Sequence, residues 1–200
     1  MANPNDVAIN IHRASAAAVD HAESELALIA AAKEDAKAFG ELYTRYVGRV
    51  YRYMRGHMHN DEDAADLTQR VFLQALDALP RYRERGLPFA AWLFRIAHNV
   101  SSDAYRRRHV TVRWDSLPDS LHPLQPEDCE RETLRREDIE RLRWLVRQLN
   151  PDERELIALR FDADLSLGEI ARVVGTSKST IQRRMVTLLE SLKEGYCAQA

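Results

Sequence analysis

Six residues in one seven-residue stretch, Lys178, Ser179, Thr180, Gln182, Arg183 and Arg184, carry side chains suited to a polyanion with readable edges. A lysine and hydroxyls at a helix start suit phosphates, where free amides and the helix dipole add to the attraction. Gln182 can bond an adenine edge in two-pronged fashion, and Arg183 or Arg184 a guanine edge. A second group lies earlier. Arg81, Arg83 and Arg85 surround Tyr82, and Trp92, Phe94, His98, Asn99, Asp103, Arg106 and Arg107 follow. Cations track phosphate while flat rings stack on unpaired bases, so this mixture suits single-stranded DNA. On the residues alone that signal is weak, since Phe89 and Trp92 read more simply as core. Asn99 offers both a donor and an acceptor, enough to read one base edge.

Other chemistries are poorly supported. His57, His59, Asp61, Glu62 and Asp63 crowd together as a metal set would, but they straddle a helix start, where acids serve as caps. No nucleophile constellation, P-loop or glycine-rich phosphate loop is present. No catalytic residue, metal site or cofactor is therefore expected. Cys129 and Cys197 have no CxxC or Cys/His ligand spacing and read as free thiols of a reducing compartment.

Helices must position these groups. Phe39, Leu42, Tyr43, Tyr46, Val47, Val50, Tyr51 and Met54 form one helical stripe. Asn60 and Asp61 can cap the next helix, whose apolar face is Leu67, Val71, Phe72, Ala75, Leu76 and Leu79, and which Pro80 ends. Residues 81–88 read as a loop broken by Gly86 and Pro88. A helix from about Phe89 to Arg108 buries Trp92, Leu93, Ile96 and Val100. After a proline-bearing stretch, a charged helix runs from about Glu127 to Leu149.

The remaining punctuation is sharper. Asn150-Pro-Asp-Glu153 is a helix start with an Asn cap, Pro at the first helical position and two acids. Ser166-Leu-Gly-Glu169 is a capping box. Gly175 breaks that helix with a residue that tolerates positive φ, and Ser177 caps the last one. Ala171 permits a close helix crossing and Ile181 plugs the angle, which makes residues 166–192 a helix-turn-helix. The pattern is all-α, with two small helical domains joined by a flexible linker. The expected divisions are a mobile arm at 1–22, a first domain at 23–109, a linker at 110–126 and a second domain at 127–196.

Charge sorts by segment. The net charge is −2 and the pI about 6.4. Basic clusters at Arg81–Arg85 and Arg106–Arg108 precede an acidic stretch from Asp115 to Glu140, as in a chain that faces DNA in places and protein elsewhere. No apolar run reaches about 20 residues, so no membrane insertion is expected. No signal peptide is evident at the start, and a cytoplasmic location is expected.

Three stretches, Phe39-Gly-Glu-Leu-Tyr-Thr-Arg-Tyr46, Glu62-Asp-Ala-Ala-Asp-Leu-Thr-Gln-Arg-Val-Phe-Leu73 and Phe89-Ala-Ala-Trp-Leu-Phe-Arg-Ile-Ala-His-Asn99 with Asp103 and Arg106–Arg108, resemble region two of the sigma-70 family. Leu149-Asn-Pro-Asp-Glu-Arg-Glu-Leu156, Leu165-Ser-Leu-Gly-Glu-Ile-Ala171 and Ser179-Thr-Ile-Gln-Arg-Arg184 resemble region four. The short connection leaves no room for a region-three domain, which points to the extracytoplasmic-function subgroup. The resemblance implies an RNA polymerase sigma factor. It places Asp63, Asp66 and Gln69 on the clamp helices of the core polymerase largest subunit. Asn99 and the Arg81–Pro88 loop, with Arg83 and Arg85, would hold a base flipped from the −10 element, and Arg106 and Arg107 would follow the strand. The last helix would read the −35 element of promoter DNA, and an anti-sigma factor would be the regulatory partner. Arg70 stands where relatives often carry an acid, and Leu93 where housekeeping relatives carry a second Trp. The alternative is a one-component helix-turn-helix regulator, which would bind duplex DNA tightly without polymerase.

Overall fold

The computed structural model describes residues 24–58, 60–84, 86–108 and 129–198. Among them every regular element is helical. The expected arm and linker lie outside the described residues. The helices are α1 (24–32), α2 (Ala36–His57), α3 (Asp61–Ala78), α4 (Phe89–Arg108), α5 (Cys129–Gln148), α6 (Pro151–Ile157), α7 (Leu167–Val174) and α8 (Lys178–Ala198). No described helix is long and apolar enough to cross a membrane.

The chain divides into two compact units. The first holds the described residues up to Val47 together with Leu76–Tyr82. Its core is Ile29, Ala32, Leu42, Tyr46, Leu79 and Tyr82. Asp35 starts α2 by accepting a bond from the Lys37 amide at 2.9 Å. Pro80 does not extend α3. It opens a short 3-10 turn, Leu79–Arg81, closed by the Tyr82 amide on the Leu79 carbonyl. Lys33 donates to the Tyr82 carbonyl at 2.9 Å, and the Tyr46 hydroxyl donates to Glu25.

The second unit comprises Gly48–Ala75 and the residues from Arg83 on. Asn60 caps α3 through the Asp63 amide at 2.7 Å, and Asp61, Glu62 and Asp63 fill the first turn, where acids oppose the helix dipole. Val50, Tyr53 and Met54 of α2, Leu67 and Val71 of α3, and Leu93, Phe94 and Ala97 of α4 are buried. Tyr53, rather than the expected Tyr51, is the buried tyrosine of this part of α2. It lies seven residues past Tyr46, two full turns on, and meets the Phe94 ring edge-on at 5.7 Å.

Capping sets the remaining helices as the sequence leads one to expect. Asn150 and Glu153 form a reciprocal capping box, as do Ser166 and Glu169. Gly175 takes the left-handed conformation at φ 73° and returns its amide to the Ala171 carbonyl. Between α6 and α7 the helix widens into a π-turn, Ala158–Asp162, with the Ala163 amide bonded to the Ala158 carbonyl. Asp164 follows at φ 51° and turns the chain into α7. Leu156, Leu159, Leu165, Ile170, Ile181, Met185 and Leu188 form the core of this part, and α7 also packs on α4.

Candidate nucleic-acid interface

The helix-turn-helix is built from its turn outward. Ala171 is buried and its carbonyl accepts the amides of Gly175 and Thr176. Ile181 is fully buried, so α8 is fixed in rotation about its axis. That rotation leaves Lys178, Ser179, Gln182, Arg183 and Arg184 exposed to solvent around the rest of α8. Thr180 is half-buried. The Ser177 hydroxyl caps α8 by accepting the Thr180 amide at 3.1 Å and lies 2.9 and 2.8 Å from the hydroxyls of Ser179 and Thr180. Those two hydroxyls are therefore pre-oriented at the helix start, where an anion meets the free amides. Arg184 stands 3.7 Å from Asp152 at the start of α6, and Gln182 and Arg183 are exposed.

In α4, Asn99 is exposed between the half-buried His98 and the buried Val100. Arg106 is exposed and ion-paired with Asp103 one turn back. Arg83 is exposed in the preceding loop, where Gly86 turns the chain at φ 70°. Arg85 lies outside the described residues, as does the side chain of Arg107. Trp92 is buried against Phe89, ring centroids 5.3 Å apart, which favours its reading as core. Thus α4 presents Asn99 and Arg106, while the loop before it presents Arg83.

On α3, Asp66 and Gln69 are exposed, and Asp66 pairs with Arg70 at 3.9 Å. Asp63 is half-buried and accepts a bond from the Asn60 side chain at 2.8 Å, so part of its carboxylate serves the cap. The sequence reading missed Leu73. It is 63% exposed and lies one turn beyond Gln69, which extends the Asp66–Gln69 face with an apolar contact point. Its signal was an apolar residue off the Leu67–Val71 stripe.

A second grouping was not legible in the sequence, although His57 and His98 were each singled out there for other reasons. The Glu155 carboxylate of α6 accepts the Tyr53 hydroxyl at 2.7 Å, His57 Nε2 at 2.7 Å and His98 Nδ1 at 2.8 Å. His57 Nδ1 lies 2.7 Å from the Tyr53 carbonyl, so both of its ring nitrogens face acceptors, the arrangement of an imidazolium. Burial works against the charged Glu155, but the bonds and charges of His57 and His98 outweigh it and hold the carboxyl far below the usual range. Burial also works against a charged His57, yet Glu155 outweighs it and the imidazole is raised. Burial raises the Asp162 carboxyl to about 6 against the pull of His57 and Arg52. The metal set suspected around His57 is thus partly dispersed, with His57 turned to Glu155; His59 lies outside the described residues. Among the described residues no group of three or more His, Cys, Asp or Glu side chains could hold a metal ion.

A helical bundle followed by a capped helix-turn-helix with a basic outer face defines a class of DNA-directed protein. Residues 42–110 match the family Sigma-70 region 2, and residues 145–194 match Sigma-70, region 4. The ECF RNA polymerase sigma factor BldN of Streptomyces coelicolor is 35% identical over 187 residues, covering 90% of this chain and 70% of that protein. The RNA polymerase sigma factor CarQ of Myxococcus xanthus is 32% identical over 159 residues, covering 78% and 88%. The solved structure of CnrH in complex with the cytosolic domain of CnrY superposes with a TM-score of 0.63 at 26% identity, covering 86% of this chain and 97% of that one. The chain belongs to the sigma-70 family, in its extracytoplasmic-function group of RNA polymerase sigma factors.

Proposed function

We propose that this sigma factor works through three surfaces, presented by residues 23–109 and 127–196 across a linker at 110–126. The first docks core polymerase. Asp66, Gln69 and Leu73 share one exposed face of α3, with Asp63 at its head, and the clamp helices of the largest subunit are the intended contact. The second captures a −10 base. Extruding it costs a few kcal/mol, and Asn99 offers the edge contacts that offset this, with Arg83, Arg85, Arg106 and Arg107 along the phosphates. The third is α8. Gln182 and Arg183 read −35 base edges, while Lys178, Ser179 and Thr180 meet phosphate and Arg184, held by Asp152, follows the backbone.

The observation that carries this reading is the outward rotation of Gln182 and Arg183, fixed by the fully buried Ile181. The factor itself performs no catalysis, needs no metal or cofactor, and acts in the cytoplasm. CnrH is known in complex with CnrY, and an anti-sigma protein of similar kind is the regulatory partner proposed here. The test is fluorescence anisotropy on a promoter duplex with this chain, with core polymerase, and with both. Tight, sequence-selective binding is expected only with both. Equally tight binding by the chain alone would overturn the proposal in favour of a one-component regulator.

A further inference from the structure

A groove of about 630 Å³ runs between the start of α6 and α8, and charges of both signs line it. Leu156 and Leu188, both buried, form its floor. Asp152 and Glu153 lie on the α6 side, and Arg183 and Arg184 on the α8 side. The two acids are not equivalent. Glu153 is committed to the cap: its carboxylate accepts the Asn150 amide at 3.1 Å, and its own amide donates to the Asn150 side chain at 2.9 Å. Asp152 takes no part in that box. Its carboxylate stands 3.7 Å from the Arg184 guanidinium, with 83% of the Asp152 side chain and 41% of the Arg184 side chain exposed.

Both backbones that carry this pair are fixed. Pro151 and the reciprocal cap set the first turn of α6. The buried Ile181 and Met185, which bracket Arg184 in the chain, set the rotation of α8. Stability does not account for the pair, because an ion pair this exposed contributes little. The α6 dipole does not require it either, since Glu153 already opposes that dipole. The pair matters when a polyanion approaches α8. A carboxylate offers a guanidinium what a phosphate offers, negative charge on oxygens that accept its N–H groups. A phosphate that takes Arg184 must displace Asp152, and the displaced carboxylate then stands as a like charge beside the DNA backbone.

We propose that Asp152 is a built-in competitor of DNA for Arg184, a positioning residue that holds this cation before DNA arrives and lowers the affinity of α8 for phosphate. The inference rests on the reading of α8 as the −35 surface and adds a residue of α6 to it. Phosphate contacts carry no sequence information, so Asp152 weakens binding to every sequence alike and leaves base preference to Gln182 and Arg183. Its effect is largest at low ionic strength, because the pair is exposed and salt screens it. The consequence is a shorter stay on duplex that lacks a −35 match, where phosphate contacts supply essentially all of the binding.

The experiment is fluorescence anisotropy with holoenzyme, formed from core polymerase and the full chain, on a promoter duplex and on one with a scrambled −35 element, across a salt series. Asp152→Asn keeps the shape and removes the charge. It should tighten binding to both duplexes by roughly two- to fivefold at low salt, the scale of an exposed ion pair. The slope of log affinity against log salt should steepen by up to about one unit. Asp152→Glu keeps the charge and should stay close to wild type. Arg184→Ala should weaken binding, and Asp152→Asn should then add nothing, since the two act as one pair. Circular dichroism and urea midpoints check that the variants are folded. Unchanged affinity and slope for Asp152→Asn would overturn the proposal. So would an equal gain in the Arg184→Ala background, which would make Asp152 a general repellent, or a gain confined to one −35 sequence. Lys178→Ala separates this inference from the reading beneath it. If Lys178→Ala weakens binding while Asp152→Asn is silent, only the role of Asp152 falls. If Lys178→Ala and Arg184→Ala are both silent, α8 is not the DNA surface and both fall.

Discussion

Gly175→Ala isolates one energetic term of the helix-turn-helix. Gly175 sits at φ 73°, and a Cβ built on it meets nothing within 4 Å, so added bulk costs no steric clash. What remains is the left-handed conformation, which costs an L-residue about 1–2 kcal/mol. The stiffer unfolded chain of the alanine variant returns roughly 0.4–1 kcal/mol. The net expectation is a loss of about 1 kcal/mol. Gly168→Ala provides the control within the same motif. Its Cβ would lie 3.8 Å from Arg172 and 4.0 Å from Ser166, ordinary contacts, and its φ is not positive. Alanine there should gain up to about 0.5–1 kcal/mol, because glycine is the poorer helix former. Urea unfolding followed by circular dichroism reads both as shifts of midpoint at constant slope. The opposite signs are the prediction. A Gly175→Ala chain as stable as wild type, or shifts of the same sign, would refute the argument that backbone conformation selects glycine at this turn.

Three further outcomes follow from the proposed surfaces. Asp66→Arg with Gln69→Ala should weaken core polymerase binding at least tenfold, about 1.4 kcal/mol, with circular dichroism unchanged; a titration pull-down measures it, and unchanged affinity would remove α3 as the docking face. Gln182→Ala should alter base preference at one −35 position by about 1–3 kcal/mol, whereas Lys178→Ala should lower binding evenly across sequences and flatten its salt dependence. A promoter-library selection distinguishes the two, and a wild-type profile for Gln182→Ala counts against its placement. Asn99→Ala should form holoenzyme and bind closed promoter but lose permanganate reactivity at −10 thymines, with a pre-melted bubble restoring only part of the loss; normal reactivity excludes base capture.

Local signals carried most of the fold. The caps at Asn60, Asn150 and Ser166 and the turn at Gly175 each depend on side chains within a few residues of the backbone they serve, so spacing alone revealed them. The limits of α4 followed from Pro88 before it and its apolar rhythm. Periodicity was less decisive within α2, where Tyr51 and Tyr53 compete for the interior and the packing of Phe94 selects Tyr53. The π-turn had no signal, since one widened turn leaves no compositional mark. The exposed face of the candidate site was legible because charged residues cluster on α8. The Glu155 cluster was not: its partners lie 57, 98 and 102 residues away in the chain, and Glu155 itself reads as an ordinary acid of a capped helix.

Run-off transcription tests the central claim most directly. Core polymerase, a template library of promoter fragments and this chain are combined, alongside reactions lacking the chain and reactions carrying Asn99→Ala or Gln182→Ala. The account predicts discrete transcripts that start a fixed distance downstream of shared −35 and −10 sequences only when the chain is present, reduced by Asn99→Ala and redirected by Gln182→Ala. Transcripts that are the same with and without the chain would contradict it.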